Sequence, residues 1–449
     1  MIVETSQNRR SLANENCQIA PLYESVSPKF YGGTERVVSY LTEELVRQGH
    51  EVTLFASGDS KTSANLVRCC DVALRLNPIF MDPLPYHVIM LEEVRRRADE
   101  FDILHFHIDF LHGPLVREFA GRTATTLHGR LDLPHVVPFY HVFRELPLVA
   151  VSSDQRKYLR SANWIGTIHH GLPYGLLPFQ PKASGGYLAF LGRIAPEKRP
   201  DRAIEIAART GMPLKIAAKV DRVDQAYWDE KIRPMVEANA NVEYIGEIAE
   251  HEKADFLGQA SALLFPVDWP EPFGLVMIEA MACGTPVIGF RCGSVPEVVE
   301  DGISGFVMES VDQAAAVVAR VASLDRAKVR AAFEHRFTIE RAARDYLEIY
   351  GELIASSASP KRFGKANGDR KREALHPNGT RVPGLAPTAI VTKRVRPRGK
   401  LSAKVLDLST KAIVEPYDIA RCSIPDAASE TSRNDVIKRR RSNDPQDAP

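Results

Sequence analysis

One stretch limits the choice of fold more than any other: Leu263 to Val307, LLFPVDWPEPFGLVMIEAMACGTPVIGFRCGSVPEVVEDGISGFV. The apolar run Ala262 to Pro266 predicts a short buried strand. Val267 to Pro272 holds two prolines, an Asp and a Trp and predicts a turn. A helix is expected from about Gly274 to Ala282, because Gly284 and Pro286 stop it. A second strand over Pro286 to Phe290 then leads into the Gly/Ser/Pro loop Arg291 to Pro296 and another short helix. Strand, turn, helix, strand, loop and helix in that order build one edge of an open parallel sheet. Its polar residues fall just past the strand ends, where ligands of such sheets bind.

Two glutamates stand in that stretch. Glu271 lies in the turn, and Glu279 follows eight residues later inside the helix. At ~1.5 Å per residue Glu279 sits roughly 7–8 Å along the helix. One carboxylate is at the helix mouth and the other on its flank. Carboxylates accept paired hydrogen bonds from vicinal sugar hydroxyls, and the first N–H groups of the helix, on Phe273, Gly274 and Leu275, suit a phosphate. A lone glutamate on an amphipathic helix is usually a solvated surface residue, yet Glu279 sits among Leu275, Val276, Met277, Ile278 and Met281. The whole 17-residue string from Glu271 to Val287 resembles the E-x7-E signature of retaining GT-B glycosyltransferases of family 4.

The first half contains a second candidate loop. YGGTERVVSYLTEELVRQGHEVTLFAS predicts a tight turn at Tyr31-Gly32-Gly33, a cap at Thr34 and a helix carrying Val37, Val38, Leu41, Leu45 and Val46. Gly49 stops that helix, and Val52 to Ala56 is a strand. Glycines there let a backbone approach a phosphate or sugar closely, although a Gly-Gly pair alone also serves as a packing turn. GG-x-E-R followed by GHEVT resembles the first domain of the same family. The first strand is weaker: Ile19 to Tyr23 is the candidate, with frayed polar sequence before it. A helix is expected over Leu91 to Glu100. Further strands are expected at Asp102 to Phe106, Thr123 to Leu127 and Pro147 to Val151. They end in His105, His107, Asp109 and His112, in His128-Gly129, and in Ser152-Ser153. Histidines at strand ends are most often structural, but several converging make a cleft. The resemblance points the His of a T-x-H segment, His128 here, at the transferred sugar. Where such enzymes carry Asn-Gly this chain has His170-Gly171.

The second half opens after the linker Pro178 to Gly186. YLAFLGRIAPEKRPDRAIEIAA predicts a strand over Tyr187 to Leu191 with Arg193 and Lys198 beyond it. Either charge alone would be a solvated loop residue; together they suit one anion. G-R-x3-E-K resembles the motif with which the family holds the donor diphosphate. Leu214 to Ala218 and Val242 to Ile245 are strands, Trp228 to Ala238 and Glu250 to Gly258 helices, and Pro234 a kink. The loop at Gly293-Ser294 offers backbone N–H groups to a donor. Thr338 to Ile354 is a last amphipathic helix, which similar enzymes send back across to the first domain.

Composition bounds the rest. The 449 residues are 44% hydrophobic, enough for two or three domains. Six cysteines at 17, 69, 70, 283, 292 and 422 form no CxxC pair, which fits a reducing compartment. No apolar run approaches ~18 residues and the N-terminus has no signal-like core, so neither a membrane span nor a leader is expected. Residues 357–449 carry 20 Lys/Arg against 10 Asp/Glu, leaving 38 against 47 for the rest. A Pro-, Gly- and Ser-rich basic segment of this kind predicts a disordered tail, with an anionic surface as its sharper use.

The expectation is an α/β chain of GT-B type, two Rossmann-like doubly wound domains facing across a cleft. Residues 18–176 form the first, acceptor domain and 177–337 the second, donor domain. Residues 338–356 form a returning helix and 357–449 the tail. The resemblance implies retaining transfer of a hexose from a UDP- or GDP-sugar to a glycan, lipid or small-molecule acceptor. Neither a cofactor nor an essential metal is expected, in line with the absence of a D-x-D triplet. Glu271, Phe273, Gly274 and Leu275 would hold sugar and phosphate, Glu279 the ribose, and Arg193 and Lys198 the diphosphate. His128, Gly32 and Gly33 would close the site, and Gly293 and Ser294 would add amides. The setting expected is cytoplasmic, with a peripheral contact at the inner membrane face. Rivals are a nucleotide-sugar epimerase or hydrolase of the same fold, a non-catalytic binding protein that keeps the donor pocket, and a zinc hydrolase using His105 and His107.

Overall fold

The structure is a computed structural model that describes residues 15–28, 32–77, 82–115 and 117–358. Most of the predicted tail, from 359 onward, lies outside the described residues, as does Tyr31.

Thirteen strands form two sheets among the described residues. The first contains β1 (Glu15–Ile19), β2 (Glu51–Ser57), β3 (Asn65–Cys70), β4 (Ile103–Phe106), β5 (Thr123–Leu127), β6 (Leu148–Ala150) and β7 (Trp164–Thr167), in the order β3-β2-β1-β4-β5-β6-β7. The second contains β8 (Leu188–Arg193), β9 (Leu214–Lys219), β10 (Val242–Gly246), β11 (Ala262–Phe265), β12 (Val287–Phe290) and β13 (Gly305–Met308), in the order β10-β9-β8-β11-β12-β13. Every pairing in both sheets is parallel. Parallel strands need crossover helices on both faces, so the inner strands are buried and several read as near-continuous apolar runs. β11 (ALLF) and β12 (VIGF) are buried at every position.

The first strand departs from expectation. It is Glu15–Ile19, ENCQI, rather than Ile19 to Tyr23, so the first domain begins before the expected residue 18. Asn16 and Gln18 are fully buried polar residues in the middle of the sheet. Beyond Ile19 the chain leaves β1 toward the glycine loop. The next helix, Gly33–Arg47, buries Val37, Val38, Leu41 and Leu45 at helical spacing. Gly32 occupies its cap position with no side-chain cap bond, so Thr34 is not the cap, and the first-turn N–H groups lack a side-chain partner. Further along, Leu84–Arg97 forms a longer helix than the expected Leu91 to Glu100. The segment over Trp228–Ile232 is a π-helical turn, and Pro234 opens the α-helix Arg233–Glu237 directly after it. The expected kink is therefore a junction between two helical segments.

The chain crosses between sheets twice at one place. Leu172 bridges Thr338, and a Cβ on Gly171 would stand 2.3 Å from the Thr338 carbonyl oxygen. From that crossing the last helix, Ile339–Ala358, runs back over the first sheet. Its Ile339, Ala342, Ala343, Tyr346, Tyr350 and Leu353 share one core with Leu41 and Leu45 of the glycine-loop helix and with Ile103, Ala124 and Val149 of the sheet.

Candidate functional site

In each sheet the strand order reverses once between neighbours, at β1–β4 in the first and β8–β11 in the second. A crevice opens at such a switch point, past the carboxyl ends of the strands. The two crevices face one another and form a single cleft of about 650 Å³. Gly32 and Gly33 follow β1, His107 and Asp109 follow β4, and His128 follows β5. From the other side come Arg193 at the end of β8, then Lys198, and from the loop after β11 Glu271, Phe273, Gly274, Leu275 and Glu279. All of these residues line the cleft.

The second-domain wall is a set of paired charges. Lys198 Nζ donates to Glu271 Oε2, and Trp269 Nε1 donates to the same oxygen at 2.9 Å. The Lys198 ammonium also lies 4.6 Å from the Trp269 ring centroid. Glu271 thus has one oxygen fixed by two donors while its residue remains 8% exposed at the cleft. Arg193 pairs with Glu197 and has Asp221 and Asp224 carboxylates at 3.5 and 3.6 Å. An anion entering here meets a guanidinium already held in orientation by three acids.

Glu279 is 3% exposed, and its helix, Leu275–Ala282, gives it no polar neighbour of its own. Lys253 supplies one, with Nζ 2.7 Å from Glu279 Oε1 and 3.1 Å from Glu250. Glu250 in turn pairs with Arg36 of the glycine-loop helix. A ladder of alternating charges therefore runs from Glu279 across the cleft to the first domain. A carboxylate this deep is tolerated only when paired.

Gly293 and Ser294 do not line the cleft; they brace it from behind. Ser294 N–H donates to the Glu271 carbonyl at 3.0 Å and Ser294 Oγ to the Phe273 carbonyl at 2.7 Å. Gly293 has φ +55, and a Cβ there would stand 2.3 Å from Glu271 N. The Ser294 N–H expected to reach a donor is spent holding the Glu271 turn. Glu297, just beyond, accepts from Ser153 and Asp154 N–H at 2.8 and 2.6 Å, a second tie to the first domain.

The first-domain wall is a row of histidines. His128 Nε2 lies 2.9 Å from His107 Nδ1, and its ring stacks on His170 at 5.2 Å and 17°. His170 meets the edge of Phe273 at 4.9 Å, which joins the row to the mouth of the Glu279 helix. Burial pushes His105 and His128 down to about 3, and His107 and His170 fall by the same cause. The row is neutral at physiological pH. His105 has both ring nitrogens engaged, by Tyr350 OH at 2.7 Å and Thr126 Oγ1 at 2.8 Å. His107 has both engaged by His128 and Gln18. Neither imidazole that the zinc-hydrolase rival would use has a ring nitrogen without a hydrogen-bond partner. Among the described residues no group of three or more His, Cys, Asp or Glu could hold a metal. Burial also raises Glu35 to about 7 and Asp109 to about 6, both on the cleft wall.

Sequence reasoning passed over Arg36, Lys253, Glu250, Trp269, Gln18 and Tyr350. Arg36 stands inside the GG-x-E-R string and Trp269 inside the Glu271 turn, so both were within reach. Lys253, Glu250 and Tyr350 sit on helices with no motif around them.

Comparison with known proteins bears on the family and the fold. Residues 179–343 match the model of glycosyl transferases group 1, and residues 31–173 that of glycosyltransferase family 4. The chain is 32% identical to a D-inositol 3-phosphate glycosyltransferase of Stackebrandtia nassauensis over 194 residues, 39% of this chain and 44% of that protein. The match therefore spans less than half the length of this curated relative. Among solved structures, sucrose-phosphate synthase from Thermosynechococcus elongatus superposes with a TM-score of 0.64 at 19% identity, over 76% of this chain and all of that one. Anabaena HepE, solved with UDP and glucose, superposes with 0.61 at 18% identity over the same shares. At such identity these two speak for the fold alone. No described helix is long and apolar enough to cross a membrane.

Proposed function

We propose, from the premise that this chain belongs to the group 1 glycosyltransferases of GT-B fold, that it moves a hexose with retention from a nucleotide-sugar to a hydroxyl acceptor. The observation that carries this reading is the meeting of Glu271, Glu279, Arg193 and Lys198 at one switch point, opposite a glycine loop and a neutral histidine row at the other. Glu279 would accept the two ribose hydroxyls. The diphosphate would lie between the Lys198 ammonium, the Arg193 guanidinium and the N–H groups of Phe273, Gly274 and Leu275 at the helix start. Glu271 would take hydroxyls of the sugar. Lys198 pairs with Glu271 before the donor arrives, so both groups are held at the site and no large rearrangement is needed to present them.

Retention needs the new bond on the face the leaving group vacates. No cleft carboxylate is proposed as a nucleophile. As the C1–O bond to the diphosphate breaks, the acceptor oxygen attacks C1 on that same face, and its proton passes to the departing phosphate oxygen. Arg193 and Lys198 stabilise the charge that builds on the phosphate, and losing either would cost about 10²–10³ in rate. On this reading turnover persists in a chelator.

UDP is the first nucleotide to try, because the Anabaena neighbour was solved with it. A cytoplasmic setting is supported by free thiols at Cys17, Cys69, Cys70, Cys283 and Cys292. Contact of the basic segment with an anionic membrane face belongs to the same proposal. The deciding experiment incubates the full chain with UDP-glucose, GDP-mannose and their relatives, with and without a panel of glycan, lipid and polyol acceptors. An α-configured product from an α-configured donor supports the reading. Release of free sugar at one rate whatever acceptor is offered would make the protein a hydrolase, and a 2-epimer of the donor an epimerase.

A further inference from the structure

We propose that the acceptor of the transfer is a sugar ring or cyclic polyol carrying neither phosphate nor carboxylate, held on the first-domain wall by the Asp109 carboxylate beside Phe110, with Glu35 as a second acid. The statement rests on the transferase reading above, which seats the nucleotide-sugar against the second-domain wall and leaves the first-domain wall to the acceptor.

The charges of the cleft carry the argument. Every Arg and Lys that lines it already has an acid. On the first-domain side Arg36 is paired with Glu250, and Arg75 with Glu24 at 3.1 Å. On the second-domain side Lys219 meets Asp221 at 3.0 Å, and Arg193, Lys198 and Lys253 are paired as described. The histidines of the first-domain wall add no charge. His87 is lowered by burial, with Nε2 accepting from Leu22 N–H at 3.2 Å and Nδ1 donating to the Pro83 carbonyl at 2.8 Å. The two acids of the same wall are the reverse case, for neither has a cation. The Asp109 carboxylate makes no hydrogen bond or ion pair among the described residues, and burial alone moves it, up to about 6. Glu35, 6% exposed, takes only backbone N–H groups, its own and that of Glu24. The donor diphosphate uses the cations of the opposite wall. A second phosphate would find no cation to spare and would face two acids in a site poor in water.

The Asp109 corner is also rigid. Tyr140 OH, from the helix Val136–Val142, donates to the Asp109 carbonyl at 2.5 Å. Phe110, next in the chain, lines the cleft as well, and Phe139 and His135 meet its ring at 5.1 Å and 77° and at 5.6 Å and 66°. Asp109 Oδ2 stands 3.3 Å from where a Cβ on Gly129 would lie, so a larger residue there would crowd the carboxylate. A carboxylate without donors of its own suits a guest that brings them. Vicinal hydroxyls do so, and the neighbouring aromatic side chain covers the C–H positions of the same ring. Asp109 binds the acceptor here and takes no part in breaking the donor bond.

The test offers the full chain, with the nucleotide-sugar it turns over, matched acceptors that differ only in an acid group: myo-inositol against its 3-phosphate, and methyl glucoside against its 6-phosphate and against methyl glucuronide. The acid-free member should be preferred in kcat/KM by at least about a hundredfold, since like charges brought together cost several kcal/mol. Asp109→Asn should raise the acceptor KM about tenfold, the size of one charge-assisted hydrogen bond, with kcat, UDP affinity and melting temperature close to wild type. Equal or better transfer to a phosphorylated or carboxylated member keeps the transferase reading and overturns the acceptor class. A fall in kcat with KM unchanged, or in melting temperature with KM unchanged, overturns the role of Asp109. Absence of transfer to every compound overturns the transferase reading, and this inference with it.

Discussion

Replacing Glu279 by alanine removes the carboxylate assigned to the ribose, and its two consequences can be separated. On nucleotide affinity, two hydrogen bonds to an ionised acceptor disappear. Each is worth about 1.5–3 kcal/mol net of the water it replaces. Part of that is already offset, because in the free protein Glu279 Oε1 accepts from Lys253 at 2.7 Å and must share. A net loss of about 2–3 kcal/mol remains, a UDP Kd weaker by roughly 30- to 150-fold. On stability, breaking a buried ion pair costs about 3–5 kcal/mol when the surviving charge is stranded. Lys253 is not stranded, since Glu250 stays 3.1 Å away and is itself a quarter exposed. The expected cost is about 1–2 kcal/mol. Titration calorimetry with UDP reads the first quantity and urea unfolding the second. Glu279→Gln keeps the volume and one acceptor oxygen and should fall between. A Glu279→Ala protein that folds and binds UDP within twofold of wild type would refute the ribose assignment. Loss of more than 4 kcal/mol of stability would refute the claim that Glu250 shares the lysine.

Three further outcomes follow from the same geometry. Gly293→Ala forces a Cβ to within 2.3 Å of Glu271 N at a positive φ, so the Glu271 turn must move; kcat should drop about a hundredfold, for a shift near 1 Å, with a stability loss of about 2–3 kcal/mol by calorimetry. A Cβ on Gly33 would meet, among the described residues, only Leu275 Cδ1, at 3.9 Å, and Gly33 lines the cleft, so Gly33→Leu should leave the melting temperature unchanged while blocking the cleft and abolishing nucleotide binding. A fall in melting temperature there would mean the glycine serves packing. Glu35→Gln tests pH dependence. Burial lifts the Glu35 carboxyl from 4.5 to about 7. The folded state thus binds the proton more tightly than the unfolded chain, and the penalty is absent below pH 4.5, grows up to pH 7 and is constant above it. The variant should gain on wild type through that window by on the order of 3 kcal/mol at pH 8, read by urea unfolding at pH 4, 6 and 8. A difference that does not change with pH would count against it.

What the sequence concealed has a common physical cause. The alternation of apolar runs and amphipathic helices exposes both sheets, because period and punctuation are local. Glu279 is conspicuous because a charge inside an apolar helical run is costly unless something distant compensates it. The compensator, Lys253, stands 26 positions away on a short helix where a lysine is unremarkable. Gly293 and Ser294 were legible as a loop but not as a brace, since nothing local says which carbonyl a serine will reach. β3 and β7 are edge strands, half-buried and without the apolar density that marks β11 and β12. β1 is the most telling case. ENCQI is a poor central strand by composition, and the apolar residues after it drew the expectation downstream. One of its polar members is buried where it meets the histidine row: Gln18 at the centre of the sheet joins Tyr350, 332 positions later, to His107. A weak local signal at a central strand therefore marked a position where hydrogen-bonding chemistry had replaced packing, and that reason became visible only once the returning helix lay across the sheet.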